Sequence, residues 1–258
     1  MPTRAVLLDI DGVLVVSWKP IDGAVEAVRA LRTAGFAVQF LTNTTSVTAS
    51  EMVAHLVSAG FELGADELTT AGVATAAHLR RHHPGARCLV LNDGPLDDLA
   101  GVRLAGPGEA VDVVVIGSGG PSFTWERLNA AARAVIDGAA LVGMHGAATW
   151  MTAEGICLDG GTFVAALERA TGADATIVGK PAPAMFEEAL RRARADLADA
   201  VMVGDDIAAD VLAAQAVGIR GVLVRTGKYR PGSEDSAEPR PDATIDSIAD
   251  LPGRLAGY

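Results

Sequence analysis

The stretch Ala5-Val6-Leu7-Leu8-Asp9-Ile10-Asp11-Gly12-Val13-Leu14 decides how the rest of the chain is read. Its four leading apolar residues predict a short strand buried on both faces, the kind found in the middle of a parallel sheet. Side chains two apart on a strand point the same way, so Asp9 and Asp11 arrive together at its carboxyl end. Gly12 then lets the chain turn sharply without a Cβ clash. Two carboxylates this close repel unless a cation or a shared proton lies between them. Alone, such a pair is ordinarily two solvated turn residues. The rest of the chain decides otherwise.

Outward from that strand, residues 21–34 carry Val25, Val28 and Leu31 at helical spacing and stop at Gly35. Residues 36–41 read as a second buried strand, ending in Thr42-Asn43-Thr44-Thr45-Ser46. Helices are predicted over 50–59 and 70–83, the second closed by Pro84-Gly85. The rhythm then restarts, with strands over 87–92, 111–116 and 140–144 and helices over 124–137 and 160–171. A third block opens at Ala175. It carries a helix over 184–194, a strand over 200–205 ending in Asp205 and Asp206, a helix over 207–217 and a strand over 221–224. The polar stretch 232–239 is expected to be a mobile surface loop.

Strands alternating with helices predict an α/β fold, a Rossmann-like three-layer core around a parallel sheet. Residues 1–83 and 175–258 form that core, and a smaller α/β cap domain is inserted at 84–174. Ligands of such sheets bind beyond the carboxyl ends of the strands. Asp9, Thr42 and Asp205 all fall at predicted strand ends, and Lys180 lies at another junction.

Composition narrows the partners. The 258 residues carry a net charge of −11, which argues against a nucleic-acid surface or an anionic membrane as partner. A local cationic pocket can still hold a phosphorylated substrate. Cys88 and Cys157 are too few for a disulfide framework, so a reducing cytoplasm is the expected setting. The chain enters its first strand at once, so no leader is expected. No apolar run approaches the roughly 20 residues of a membrane helix.

The charges point to chemistry. Asp9, Asp11, Asp205, Asp206 and Asp210 on neighbouring loops would destabilise one another if unpaired. A hard divalent cation with oxygen ligands resolves this, and Mg²⁺ typically takes one or two carboxylates and keeps several waters. Lys180 supplies a fixed positive charge, and Thr42 and Asn43 supply neutral donors for phosphoryl oxygens. Together they make an anion site with an electrophilic metal and a carboxylate nucleophile.

Asp9-Ile-Asp11-Gly12-Val-Leu, Thr42-Asn43, Gly179-Lys180-Pro181 and Gly204-Asp205-Asp206-Ile-Ala-Ala-Asp210 resemble, in order, motifs I to IV of the haloacid dehalogenase superfamily. The insertion between the second and third motifs is similar to the large α/β cap of its subfamily IIA. The tract 203–211, with Arg225-Thr-Gly-Lys-Tyr-Arg-Pro231, resembles that branch's phosphatases. The resemblance implies a Mg²⁺-dependent phosphatase of a small phosphorylated metabolite. In it Asp9 attacks phosphorus and becomes an aspartyl phosphate, while Asp11 protonates the leaving group and then deprotonates water. Mg²⁺ is held by Asp9, the backbone carbonyl of Asp11, and Asp205. Thr42 and Asn43 bind the transferring phosphoryl group, and Lys180 neutralises it and orients Asp9. Asp206, Asp210 and Gly12 stand behind these groups. The cap implies a substrate-reading segment, for which residues 144–155 with His145 and Trp150 are the candidate, and a homodimer formed through the cap. Some members carry a non-acidic residue where this chain has Asp11; its presence here favours a competent phosphomonoesterase.

Other functions share parts of this pattern. A dehalogenase or phosphonatase shares the fold, but dehalogenation needs neither Mg²⁺ nor a second aspartate. A receiver-like module combines an acidic pocket, a Thr and a Lys, but has no inserted domain. A regulatory protein that binds a phospho-ligand without turnover shares the whole pattern and is separated only by assay.

Overall fold

The structure, a computed structural model, describes residues 4–152 and 155–256. Strand β1 (Ala5–Asp9) is fully buried, as its apolar run requires. The turn after it is tight, with the Ile10 carbonyl accepting from both Leu14 N (2.9 Å) and Val15 N (3.1 Å). A small hairpin, Val15–Val16 with Lys19–Pro20, follows. Its turn residues Ser17 and Trp18 both take positive φ (48° and 65°), the hairpin conformation that usually calls for Asn or Gly. Neither is the Asn or Gly that signals such a turn in a sequence. Helix α1 (Ala24–Thr33) buries Ala24, Ala27, Val28 and Leu31, a stripe at helical period. Strand β2 (Ala37–Thr42), helix α2 (Ala49–Ser58) and strand β3 (Leu68–Thr70) complete this part.

Helix α3 (Ala71–His82) then begins a second body of structure. Strands β4 (Arg87–Leu91), β5 (Arg103–Leu104) and β6 (Val113–Ile116) follow it. Helix α4 (Trp125–Ile136) is capped by Thr124, whose side chain accepts from Arg127 N. Strand β7 (Ala140–Gly143) comes next, then a hairpin of β8 (Thr149–Thr152) with β9 (Gly155–Leu158). Helix α5 (Gly160–Thr171) and strand β10 (Thr176–Ile177) close the segment. Its five-stranded sheet runs β10-β7-β6-β4-β5, all parallel. Val114, Ile116, Phe123, Val135, Leu141 and Val164 form its core.

The chain returns through α6 (Pro183–Ala193) to β11 (Ala200–Gly204). A π-helical segment over Ile207–Leu212 continues into α7 (Ala213–Ala216), where the sequence predicts one α-helix. Then come β12 (Arg220–Val224), the short α8 (Ser233–Ser236), β13 (Ala243–Ile245) and α9 (Leu251–Leu255). The six-stranded sheet runs β13-β12-β11-β1-β2-β3, with β1 central and parallel to both neighbours. The stretch 232–239 differs from the loop expected of it. Glu234 there accepts from the Tyr229 hydroxyl (2.9 Å) and pairs with Arg225 (3.3 Å), which tether a helical turn.

By internal packing the chain divides into two compact units. The first comprises the residues up to Thr42, Ala49–Thr69, and those from Lys180 on; the second comprises Asn43–Thr48 and Thr70–Gly179. This division places residues 70–83 in the second unit, whereas the sequence reading starts the insertion at 84. The local reason lies at Thr70. Its hydroxyl caps α3 by accepting from Val73 N (3.1 Å) and bonds Asp98 (2.6 Å), so α3 is anchored to residues of the second unit.

Helix α3 also carries a pH-sensitive group. His78 stacks on His82 with ring centroids 4.5 Å apart. Burial, then the charges of His82 and His83, lower its pKa from 6.5 to about 4. Below pH 6.5 the unfolded chain binds a proton that the folded chain refuses, so folding stability falls as the pH drops towards 4. His78→Gln is expected to flatten this part of the curve of thermal midpoint against pH. Parallel curves for the two proteins would contradict that assignment.

Candidate active site

The carboxyl edge of the six-stranded sheet gathers the acids. Asp9 ends β1, and its register partner on β2 is Leu41, so Thr42 stands one residue beyond on the adjacent strand. Asp205 follows β11 directly. Asp9, Asp205 and Asp210 are all buried, and each offers a carboxylate oxygen within 4.8 Å of the others.

One cation sits among them. Lys180, between β10 and α6, is 5% exposed. Its ammonium bonds Asp9 Oδ1 and lies 2.6 Å from Asp210 Oδ1. Burial by itself would lower the Lys180 pKa; Asp210 and Asp9 together reverse this and hold it above the usual lysine value. The acids respond in the opposite sense. Burial raises Asp9 against the pull of Lys180, and Asp205 adds to the rise. Burial pushes Asp205 up to about 6, with the Lys228 backbone N–H opposing and Asp210 adding. Asp210 is raised by burial too, with Lys180 opposing. Asp11 is the exposed member. Partial desolvation still raises its carboxyl, against the charges of Lys228 and Lys180.

The loop that carries Asp210 is shaped for this contact. Asp206 caps the π-helical segment through Oδ1, which accepts from Ala208 N (3.1 Å) and Ala209 N (3.0 Å). Asp206 N in turn donates to Asp210 Oδ2 (3.2 Å). The wide turn brings Asp210 inward, where it is 1% exposed. Such π segments recur at functional sites.

Two glycines let the loops close. A Cβ on Gly12 (φ +86°) would stand 2.1 Å from Asp205 Oδ2, and one on Gly227 (φ +59°) would stand 1.9 Å from the same oxygen. Both need the left-handed region and the missing side chain at once. Lys228 N donates to that oxygen (2.7 Å), and the Thr226 hydroxyl donates to the Gly12 carbonyl. Residues 226–228 therefore hold the acid loop, a role the sequence reading did not assign them. The signal was available: they follow β12, whose carboxyl end lies beside that of β11.

The remaining candidates lie in the second unit. Asn43 begins it, and a Cβ on Gly179 would meet Asn43 Oδ1 at 2.7 Å. His145 is 3% exposed. Its Nδ1 accepts from Ala147 N (3.3 Å), and Nε2 stands 3.8 Å from Asp159 Oδ1. Burial lowers its pKa, with Asp159 opposing. Trp150 is half-exposed on β8, opposite Cys157 on β9. The segment 144–155 thus contains one arm of a hairpin; residues 153 and 154 lie outside the described residues.

The cluster is suited to a hard cation. Its donors are carboxylate oxygens, and Asp205 Oδ1 is buried without a hydrogen-bond partner among the described residues. Such an orphaned acceptor is costly unless something binds it. A metal ion of the Mg²⁺ type would satisfy it.

Comparison with known proteins places this arrangement. A haloacid dehalogenase-like hydrolase model matches residues 6–101, and a HAD-hydrolase-like model matches 177–251. The bovine haloacid dehalogenase-like hydrolase domain-containing protein 2 is 38% identical over 245 residues, covering 95% of this chain and 93% of its own. The chain belongs to the haloacid dehalogenase-like hydrolase family. Within that family, the mouse phospholysine phosphohistidine inorganic pyrophosphate phosphatase is 34% identical over 99% of this chain and 95% of its own. Two solved structures share the fold closely. A p-nitrophenyl phosphatase from Archaeoglobus fulgidus superposes with a TM-score of 0.89 at 29% identity, covering 99% of this chain and all of that one. NagD from E. coli K-12 gives 0.87 at 28%, covering 97% and 98%. These neighbours put the chain in subfamily IIA. Among the described residues no helix is long and apolar enough to cross a membrane.

Proposed function

We propose that the protein is a Mg²⁺-dependent phosphatase that hydrolyses a small phosphorylated metabolite through an aspartyl phosphate on Asp9. The observation that carries this reading is the buried Lys180 ammonium shared by Asp9 and Asp210, beside an Asp205 oxygen with no partner among the described residues. That geometry fixes one carboxylate, and Lys180 opposes the rise that burial imposes on its pKa. Phosphatase names among the relatives and structural neighbours point the same way.

In the first half-reaction an Asp9 carboxylate oxygen attacks phosphorus and the bond to the leaving oxygen breaks. Asp11 gives that oxygen a proton, a task suited to a carboxyl whose pKa is raised. In the second half-reaction the Asp11 carboxylate takes a proton from water. The water oxygen bonds to phosphorus, and the bond from phosphorus to Asp9 breaks. Thr42 and Asn43 donate to the transferring phosphoryl oxygens. Lys180 fixes Asp9 through Oδ1 and offsets phosphoryl charge. Asp9, the Asp11 carbonyl and Asp205 would hold Mg²⁺, which supplies positive charge to the phosphoryl oxygens.

The test is phosphate release from a panel of phosphorylated compounds, with Mg²⁺ and with EDTA, beside thermal melts under both conditions. The panel contains pyrophosphate, phosphohistidine, phospholysine, pyridoxal phosphate, phosphoglycolate, sugar phosphates, nucleotides and an aryl phosphate. Metal-dependent turnover is expected, and Mg²⁺ should raise the melting midpoint by filling the cluster, as any ligand of the native state does. Turnover unaffected by EDTA would remove the metal from this reading. No turnover of any compound, an aryl phosphate included, would favour a binding protein.

A further inference from the structure

The first unit holds a cavity of about 300 Å³ lined by Asp205, Asp206, Ile207, Lys228, Arg230 and Ser233. That volume lies at the lower end of small-ligand pockets and is about ten times the ~30 Å³ share of one water. Its walls carry two cations in a chain of net charge −11. Lys228 and Arg230 are both exposed, and neither side chain forms an ion pair or donates a hydrogen bond among the described residues. The Ser233 hydroxyl is buried and also without a partner among them. Of the wall carboxylates, Asp206 Oδ1 caps Ala208 and Ala209 and Asp205 Oδ2 accepts from Lys228 N, while Asp205 Oδ1 is the oxygen left for a cation. The donors left to meet a ligand are an ammonium, a guanidinium and a hydroxyl, a set suited to an anion. Asp205 belongs both to this cavity and to the cluster with Asp9, so the two adjoin.

We infer that this cavity receives a second anionic group, a carboxylate or a second phosphate, carried by the same substrate whose phosphoryl group is transferred to Asp9. The inference rests on the phosphatase reading and makes Lys228 and Arg230 determinants of substrate choice. The substrate class is a phosphomonoester with a negatively charged tail.

Three short probes separate the possibilities: ethyl phosphate, with no second anion; phosphoglycolate, with a carboxylate; and ethylene glycol bisphosphate, with a second phosphate. The wild type is expected to favour one charged probe over ethyl phosphate by about tenfold or more in kcat/KM, roughly the worth of one charge-assisted hydrogen bond. Lys228→Gln and Arg230→Gln are each expected to cut that preference by about fivefold to tenfold, through KM for the charged probe. Preference for phosphoglycolate identifies a carboxylate tail, and preference for the bisphosphate identifies a phosphate. No preference in the wild type, or a preference that survives both substitutions, overturns the inference. Hydrolysis of ethyl phosphate reports on the phosphatase reading separately. Should no probe be hydrolysed, calorimetric binding of the three to the Asp9→Asn protein with Mg²⁺ reads the same ratio, and equal affinities overturn the inference there.

Discussion

Asp9→Asn is expected to abolish phosphate release, with a loss on the order of ten-thousand-fold or more in kcat, the scale seen when a nucleophile that works with partner groups is removed. The amide has the shape of the carboxylate but cannot form the bond to phosphorus. The substitution leaves the fold in place for a reason visible in the charges. Burial already raises the Asp9 carboxyl, so its ionised form is held there at a cost that the neutral amide does not incur. Lys180 keeps Asp210 as a partner. Circular dichroism and the melting curve should therefore remain close to those of the wild type. Turnover that persists at wild-type rates in the Asn variant would contradict the mechanism and point to a contaminating activity.

Lys180→Met is expected to lose both activity and stability. It removes the one charge shared by Asp9 and Asp210 and leaves two buried carboxylates close together without it. Breaking a buried ion pair from one side typically costs about 3–5 kcal/mol. The loss depends on pH in a definite sense. Without the ammonium the folded-state pKa values of Asp9 and Asp210 rise further above their unfolded values. Groups shifted upwards contribute stability below the unfolded pKa and lose it as the pH rises through the folded one. The deficit should therefore be larger at about pH 8 than at about pH 5 in urea titrations. A deficit that does not vary with pH would mean that Lys180 acts by packing alone. The expected fall in kcat, about a thousandfold, follows from losing both the orientation of Asp9 and the charge facing the phosphoryl group.

What the sequence made legible was what parallel strands impose. Asp9, Thr42 and Asp205 each follow an apolar run, and parallel strands bring such ends to one edge. The pairing of Lys180 with Asp9 spans 171 positions and no local pattern announces it; motif order alone suggested it. Asp210 reads on paper as a residue one helical turn beyond Asp206, as fit for solvent as for the interior. The π-helical segment turns it inward, and that departure depends on the Asp206 cap and on tertiary contacts with Lys180 rather than on propensity. Residues 226–228 belong to a tract that resembles the family, yet their residue types announce no task. Their work is done by a backbone N–H and by the absence of a side chain at Gly227, neither of which composition or periodicity registers. Helix α3 illustrates the same limit. Its period is plain, yet its membership of a unit is set by Thr70 and Asp98, far apart in sequence.

Covalent phosphorylation of Asp9 is read directly by chemical trapping. The protein is acid-quenched during turnover of ethyl phosphate or an aryl phosphate with Mg²⁺, reduced with borohydride, and its N-terminal peptide is sequenced by mass spectrometry. Borohydride reduces an acyl phosphate but spares a free carboxylate. Homoserine is expected at position 9 in the wild type, dependent on substrate. Steady hydrolysis with Asp9 recovered unmodified at every quench time would contradict an aspartyl phosphate intermediate.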